Sequence, residues 1–227
     1  MFRPRILAIL ALCAASTPTL LRADDLSRYR TYELGMDVPT VLKLTDKTDS
    51  ALKTIHQRPA LIQQLQWGDP RSLGPNPSPQ ESVRGIQFHF CNGSLYQMVV
   101  YYDRDRTEAL TDEDLIQNIS ATYGAATRPD AEILFPSVFP ETVKILARWE
   151  DSKSSINLVR SPDQNVPGVI FLSKAGSALA QTAIVAAIRL EEQDAPQVEA
   201  ARQQKADDLK RAAQEKTRAA NKARFHM

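Results

Sequence analysis

Residues 84–102 read RGIQFHFCNGSLYQMVVYY, and this stretch decides the fold. Asn92-Gly93 separates two runs rich in aromatic and branched residues, which predicts a β-hairpin closed by a type I′ turn. The first run alternates, so that its apolar side chains share one face: Ile86, Phe88 and Phe90. The second run, residues 94–102, is apolar on both faces. We therefore expect it to be a central strand that is covered on both sides.

The sequence before the hairpin predicts a helix followed by a strand. Asp37 can cap a helix that starts at Val38-Pro39, because its side chain can accept a backbone N–H and proline is favoured in the first turn. A second, short helical turn is expected from Asp49 and is stopped by Pro59. Residues 60–67 alternate and predict a strand.

The sequence after the hairpin predicts a second helix and more strands. Thr111 can cap a helix with an acidic first turn, and Gly124 can end it. A proline-rich loop is expected over residues 129–140, and a largely apolar helix over residues 177–190 must dock on a sheet. Strands are predicted between them over residues 143–150, 155–160 and 168–173.

The repetition of this plan predicts an α+β fold built from two similar units. In each unit, one or more helices are expected to pack on a three-stranded antiparallel sheet. The first covers residues 24–108, and the second, with its docking helix, covers residues 109–190. Trp67 and Trp149 each close an alternating strand, and we expect both to be largely buried and to anchor their sheets.

Residues 191–227 are predicted to be a charged, alanine-rich tail that is helical or disordered. Large apolar residues are few there, although Val198, Leu209 and Ala220 are spaced by eleven, a period that suits a nearly straight stripe. Lysines interrupt this stripe, so a solvated and partly frayed helix is favoured over a coiled coil. We expect the tail to be dispensable for folding and to contribute to function through a partner.

Residues 1–23 have the layout of a secretory signal peptide, with a basic start, a short apolar run and small residues near the end. Cleavage after Ala23 is favoured, while cleavage after Ala15 or Ser16 stays open. A lipid-anchored chain beginning at Cys13 is disfavoured, because leucine stands where that signal needs a small residue. We therefore expect an exported protein, soluble in the periplasm or outside the cell, with no transmembrane segment in the mature chain.

Composition argues against several classes of function. The chain has 227 residues, with 28 Lys+Arg against 27 Asp+Glu, and this balance argues against binding to nucleic acid. Eight glycines leave little material for phosphate-binding loops. Two cysteines cannot form a disulfide framework or a zinc finger. Removal of the leader would leave Cys91 as a lone thiol, which we expect to be buried.

Catalytic and metal-binding motifs are weak in this sequence. Ser50 and Lys53 match the Ser-x-x-Lys of serine acyl enzymes, in which the lysine accepts the serine proton, but the companion motifs are absent. His89 and Cys91 share a strand face, yet no third ligand is near in sequence, so a sheet face is favoured over a metal site. The charges of residues 103–106 are expected to pair with each other in a loop. We assign no catalytic, cofactor-binding or metal-ligating residue and no cofactor.

The layout resembles a known group of proteins. Leu34-Gly-Met36 before a capped helix, and Phe90-Cys-Asn-Gly-Ser-Leu95 in the following hairpin, resemble the helix-then-meander unit of outer-membrane assembly lipoproteins of the BamE type. The tandem form is similar to the β-lactamase inhibitor protein. Those families are non-catalytic and bind proteins through the sheet and its loops, which is what the resemblance implies over residues 30–190. This chain lacks a usable lipid-anchor cysteine and the inhibitor's paired cysteines, so no functional residue is carried over.

The leading functional hypothesis is a non-enzymatic, periplasmic or secreted protein-interaction module with an envelope or secreted protein as its partner. Two alternatives stay open. One is a cell-envelope hydrolase that uses Ser50 and Lys53, and the other is the binding of a small ligand between the two sheets.

Overall fold

The structure, a computed structural model, describes residues 25–69, 82–135, 141–161 and 165–224. The predicted leader, residues 1–23, lies outside the described residues. The strands in the described ranges are β1 (Arg28–Tyr29), β2 (Tyr32–Glu33), β3 (Leu52–His56), β4 (Ile62–Gly68), β5 (Val83–Cys91), β6 (Ser94–Tyr102), β7 (Glu132–Phe135), β8 (Glu141–Lys144), β9 (Ala147–Glu150), β10 (Ser154–Arg160) and β11 (Pro167–Ser173). The helices there are α1 (Val38–Thr45), α2 (Arg104–Thr107), α3 (Asp112–Tyr123) and α4 (Lys174–Arg224), and Asp49–Ala51 form a 3-10 turn.

Seven of these strands form one antiparallel sheet in the order β3-β4-β5-β6-β11-β10-β9. The α+β class and the central position of β6 are therefore confirmed, but the prediction of separate three-stranded sheets is wrong. The two halves join where β6 pairs with β11, with Val99 opposite Ile170. Both strands are apolar on both faces, so either one left at an edge would expose apolar side chains beside unpaired backbone groups. Pairing the two strands buries these side chains and satisfies these backbone groups.

The hairpin of β5 and β6 is confirmed with its type I′ turn, because Asn92 and Gly93 both have positive φ angles of 49° and 81°. The pairing shifts by one residue after His89, and Tyr96 is the extra residue on β6. As a result Leu95 enters the core on one face of the sheet, while Tyr96 belongs to a separate cluster on the other face.

One face of the main sheet carries the largest hydrophobic cluster, which we call the apolar face. α1 and α3 cover it together with the segment that contains β1 and β2. The predicted helix caps are confirmed: Asp37 accepts the Thr40 N–H at 2.9 Å, and Thr111 forms a capping box with Asp114. The fully buried members of this cluster include Leu65, Phe88, Phe90, Met98, Trp149, Ile156 and Phe171.

The two tryptophans differ in burial. Trp149 is 1% exposed, and its Nε1 donates to the Gly124 carbonyl at 2.9 Å and to Ser120 Oγ at 3.2 Å. Trp67 is only half-buried and packs against the margin of the same cluster. The prediction that both are largely buried is confirmed for Trp149, whereas Trp67 is only partly buried and lies near the β3 edge of the sheet.

The opposite face, which we call the second face, is covered in two places. The start of α4 packs Ala180 and Ala183 against Ile62, Cys91 and Tyr96. The β7–β8 hairpin and its neighbourhood supply a further cluster with these buried members: Val99, Phe135, Ile145, Val159 and Ile170. Polar side chains are also buried in this sheet, among them Gln87, His89, Gln97 and Asn157.

Several element boundaries differ from expectation. The helical turn expected from Asp49 is a single 3-10 turn, and Leu52–His56 instead form β3, because an edge is open beside β4. Part of the loop expected over residues 129–140 is β7, which pairs with β8 to cover the sheet. The helix expected over residues 177–190 belongs to the longer α4, which continues through Pro196.

The predicted unit boundaries at 108/109 and 190/191 stay predictions, since strand pairing crosses the first and α4 runs through the second. Within the described ranges, no helix combines the length and the apolar character that a membrane crossing needs.

Candidate functional site

A polar cleft of about 590 Å³ opens where four segments of the chain meet. They are the β1–β2 hairpin, the β5–β6 turn, the β9–β10 turn and the first turns of α4. These segments lie far apart in the sequence, and the motifs in them, such as Asn92-Gly93, predict a turn and not a binding site. Sequence reasoning therefore missed the cleft.

The N-terminal wall of the cleft is held against the main sheet by backbone hydrogen bonds. Gly35 N donates to the Leu95 carbonyl at 2.7 Å, and Leu95 N donates to the Met36 carbonyl at 2.8 Å. Gly35 has a φ of 97°, a conformation that residues with a Cβ rarely adopt. This glycine therefore lets the chain turn from the cleft wall towards α1.

The opposite wall is the β9–β10 turn, which is tied to the start of α4. Asp151 Oδ1 accepts the backbone N–H groups of Lys153 and Ser154, both at 2.7 Å. Lys174 Nζ donates to Glu150 Oε2 and to the Asp151 carbonyl, also at 2.7 Å each. The Lys174 ammonium holds the pKa of the Glu150 carboxyl below its usual range. These bonds give the wall a fixed shape.

Hydroxyl groups and charges line the cleft. Hydrogen bonds from Ser27 hold the pKa of Asp25 below its ordinary value, so this carboxylate stays ionised and accepts hydrogen bonds rather than donating a proton. Glu33 pairs with Arg28 at 2.7 Å, and Lys153 supplies an exposed ammonium group. Serines supply the hydroxyls: Ser27, Ser94, Ser152, Ser154 and Ser173. Such a lining can bind a polar ligand through hydrogen bonds.

Cys91 and Tyr96 also line the cleft, and neither is activated. Burial raises the pKa of the Cys91 thiol and raises the pKa of Tyr96 to about 12. A reactive cysteine needs a lowered pKa to form the thiolate. Gly176 lets α4 pack closely here, because a Cβ on it would lie 2.8 Å from the Tyr96 Cβ. The sequence-based expectation that Cys91 is buried is confirmed.

The structure does not bring Ser50 and Lys53 into the helical arrangement that the Ser-x-x-Lys motif needs. Ser50 lies in the 3-10 turn, with its hydroxyl 2.8 Å from Thr48 Oγ1, whereas Lys53 lies on the edge strand β3. Both are exposed, and neither lines the cleft.

His89 lies deep in the second face. Its neighbours across the sheet are Gln64 and Gln97, and its Nε2 has no hydrogen-bond partner within the described residues. Burial lowers the pKa of His89 to about 4. In the part of the chain that the structure describes, no group of three His, Cys, Asp or Glu side chains could hold a metal ion.

The charged stretch 103–106 is the single helical turn α2 rather than a loop. Asp103 caps this turn by accepting the Asp105 N–H at 3.0 Å. Asp103 is 2% exposed, and its carboxylate pairs with Arg84 of β5 at 2.9 Å. This ion pair ties the start of α2 to the sheet, so Asp103 serves the fold.

We call the described residues before position 195 the body of the protein, and α4 leaves it beside the turn between β3 and β4. His56 Nδ1 lies 2.7 Å from Glu191 Oε1, and the Arg58 guanidinium pairs with Asp194. We call these two pairs the clasp. Beyond the clasp, every residue of 195–224 is exposed, although all belong to α4. We call residues 195–224 the arm.

The chain matches no protein-family model, no curated protein and no solved structure. The cleft, the clasp and the arm are therefore interpreted from the geometry and chemistry of the described residues.

Proposed function

We propose that this protein is an exported, non-enzymatic interaction module whose body presents the arm to a protein partner. The observation that carries the proposal is the complete exposure of residues 195–224 within one continuous helix. At 1.5 Å per residue, the arm extends about 45 Å from the body. A helix that is polar on most of its surface gains little by packing on its own chain, so its geometry serves contacts with another molecule.

The clasp supports this interpretation because it fixes the point where the arm starts. Glu191 and Asp194 lie one turn apart on α4, and both reach the short β3–β4 connection. Proline at position 196 follows directly, and it removes the N–H that the Glu192 carbonyl would otherwise accept. The clasp therefore ties α4 to the sheet just before the arm, and the backbone hydrogen bond missing at Pro196 weakens the helix where the arm begins.

Site-specific photo-crosslinking in producing cells tests the proposal. A photoreactive residue at Leu209, in the arm, should form a discrete crosslinked product with a protein. The same residue at Lys43, which is exposed on α1, serves as the matched control and should give none. Products of equal yield from both positions, or none from either, would contradict the proposal.

Export is part of the same proposal and has its own test. The mature chain is expected to begin at Asp24, after cleavage behind Ala23. The intact mass of the protein recovered from the envelope or the medium gives the cleavage point directly. An unprocessed chain in the cytoplasm would contradict export.

A small-ligand function is a second candidate because the cleft offers a cavity of about 590 Å³ with many hydroxyl groups. Seven of the described strands form one main sheet, so the cleft replaces the space expected between two three-stranded sheets. Thermal-shift measurements with sugars and small polyols would show binding as a raised Tm. Ser94→Trp, at the exposed rim, should abolish that rise, while Ser50→Trp, away from the cleft, should not. No rise with any polyol would rule out this ligand class.

A further inference from the structure

We infer that the arm pairs antiparallel with the arm of a second copy of this chain. The inference rests on the proposed function and names its partner. Its first support is the distribution of charge along α4. Within the arm, residues 195–208 carry three acidic side chains against two basic ones, and residues 210–224 carry six basic ones against one acidic. The acidic groups of the first stretch are Glu199, Asp207 and Asp208.

This distribution suits one orientation of two identical helices. In a parallel pair, the basic stretches would lie side by side and repel each other. In an antiparallel pair, the basic stretch of each copy lies beside the acidic stretch of the other. Glu191 and Asp194 are already paired with His56 and Arg58 at the clasp, and the exposed Glu192 between them places negative charge where the far end of the partner arm would arrive.

The apolar residues of the arm give the second support, because they are symmetric about the same point. Val198 and Leu209 are 63% and 65% exposed, and Ala220 continues their eleven-residue spacing. Leu209 is the midpoint of this series, and it also separates the acidic from the basic stretch. A twofold axis at Leu209 therefore places Val198 of each copy opposite Ala220 of the other, with an overlap of about 33 Å.

The arrangement also leaves room for the two bodies. The clasps lie at opposite ends of the paired arms, so the bodies are separated by the length of the overlap. Alanines at positions 201, 212 and 223 lie near the same stripe and let the two backbones approach. One contact is unfavourable in this register and occurs twice by symmetry: Arg202 of each copy lies opposite Lys216 of the other, and these long side chains must turn to solvent.

Sedimentation equilibrium of the protein as recovered from cells tests the pairing. At low salt we expect the mass of two chains, and at high salt the mass of one, because the arm charges are exposed and screened. A single-chain mass at low salt and at the highest soluble concentration would overturn the inference.

Charge reversal distinguishes a second copy from an anionic polymer as the partner. A variant with Lys210→Glu, Arg211→Glu and Arg218→Glu should be a monomer. A variant with Glu199→Lys, Asp207→Lys and Asp208→Lys should also be a monomer. An equimolar mixture of the two should form mixed dimers. If instead the second variant binds heparin more tightly than wild type and the mixture stays monomeric, the arm is a polyanion-binding element and the inference is wrong.

The single substitution Lys216→Glu should change the two affinities in opposite directions: that for a second copy of the chain and that for an anionic polymer. It converts two repulsive pairs with Arg202 into two attractive ones, so the dimer Kd should fall roughly fourfold. Binding to heparin should weaken, because the arm loses positive charge. An unchanged or raised dimer Kd would contradict the proposed register.

Engineered cysteines test the orientation. Leu209→Cys should form a disulfide with its own copy, whereas Val198→Cys should do so only when mixed with Ala220→Cys. Gln214→Cys, on another side of the helix, is the control and should remain reduced. Self-crosslinking of Val198→Cys would show a parallel pair and overturn the inference.

The failure of this inference can be distinguished from failure of the proposed function. A monomer whose Leu209 position still crosslinks to a different protein would overturn self-pairing and leave the interaction module in place. A monomer whose arm crosslinks to nothing would overturn both.

Discussion

The two faces of the main sheet are built differently, although the same strands form both. The apolar face buries a single large cluster beneath α1, α3 and the segment around β1 and β2. The second face has two small clusters, one beneath α4 and one beside the β7–β8 hairpin. Polar side chains such as Gln87 and His89 are buried in the sheet as well.

This difference assigns a separate role to each face: the apolar face stabilises the fold, and the second face positions α4. Burial of apolar area is the main favourable contribution to folding, so the apolar face should carry most of the stability. The second face buries polar groups that gain little from burial and cost free energy where they lack partners. It contains the contacts that position α4. Because the arm and one wall of the cleft belong to α4, these contacts position them as well. Substitutions on the two faces should consequently differ in magnitude and in pH dependence.

The largest effect is expected at Trp149 on the apolar face. Trp149→Ala should lower the free energy of unfolding by about 3–5 kcal/mol, because it removes a fully buried ring and leaves a cavity. Urea denaturation at neutral pH measures the change. Trp67→Ala is the matched control, and it should cost less than half as much since Trp67 is only half-buried. Equal losses of unfolding free energy at the two positions would contradict the proposed difference between the core and its margin.

The second-largest effect is expected at His89, and it depends on pH. Burial lowers the pKa of His89 from 6.5 to about 4, so the unfolded chain binds the proton more readily than the folded protein does. The contribution of neutral His89 is complete above pH 6.5 and is lost as the pH falls from 6.5 towards 4. At pH 5 the loss relative to neutral pH is about 2 kcal/mol.

The variant His89→Leu isolates this effect. It removes the titrating group and the unpartnered Nε2 together, and it puts an apolar side chain of similar size in their place. Wild type and variant should therefore differ in the pH dependence of their unfolding free energy, with the variant losing less between pH 7 and pH 5. Carboxylates titrate in both proteins, so they cancel in the comparison. Parallel pH profiles would show that His89 is hydrated in the folded state.

The features that were predictable from the sequence are local ones. Asn92-Gly93 supplies two positive φ angles in a row, which only a type I′ hairpin between such strands uses well. Thr111 and Asp114 form a capping box within four residues, so α3 could be located without tertiary information. In both places the physical cause lies within a few residues, and the prediction was confirmed.

The features that were not predictable depend on distant residues. β3 is too short and too polar to show a strand pattern, and it forms because β4 offers an edge. The pairing of β6 with β11 joins the two halves, although each half alone suggested its own sheet. The clasp pair of His56 and Glu191 spans 135 positions, and the cleft draws on four separate segments. No local signal marks such contacts.

A smaller effect is expected at the clasp. Arg58→Ala should lower the free energy of unfolding by about 0.2–1 kcal/mol, because the pair with Asp194 is exposed to solvent. Hydrogen exchange in α4 is the more informative measurement: amides near Glu191 should exchange faster, while those near Ala180, buried on the second face, should not change. A control at the exposed Arg128–Glu113 pair, Arg128→Ala, should leave α4 unaffected. Unchanged exchange near Glu191 would mean that packing of α4 alone sets the direction of the arm.

The smallest effect on folding is expected from removal of the arm. A stop codon in place of Gln197 keeps the clasp and both faces of the sheet, and every described residue that it deletes, 197–224, is exposed. Such residues bury too little apolar area to offset the cost of ordering them, so their removal should change the Tm by no more than roughly 1–2 °C. The comparison must be made at low protein concentration, because a dimer formed by the arms would stabilise the full chain by mass action. A rise in the Tm of the full chain with concentration, absent from the truncated chain, would locate self-association in the arm. If the truncated protein melts many degrees lower at every concentration, residues 197–224 pack on the body, and the second face must then be larger than the clusters beneath α4 and beside β7–β8.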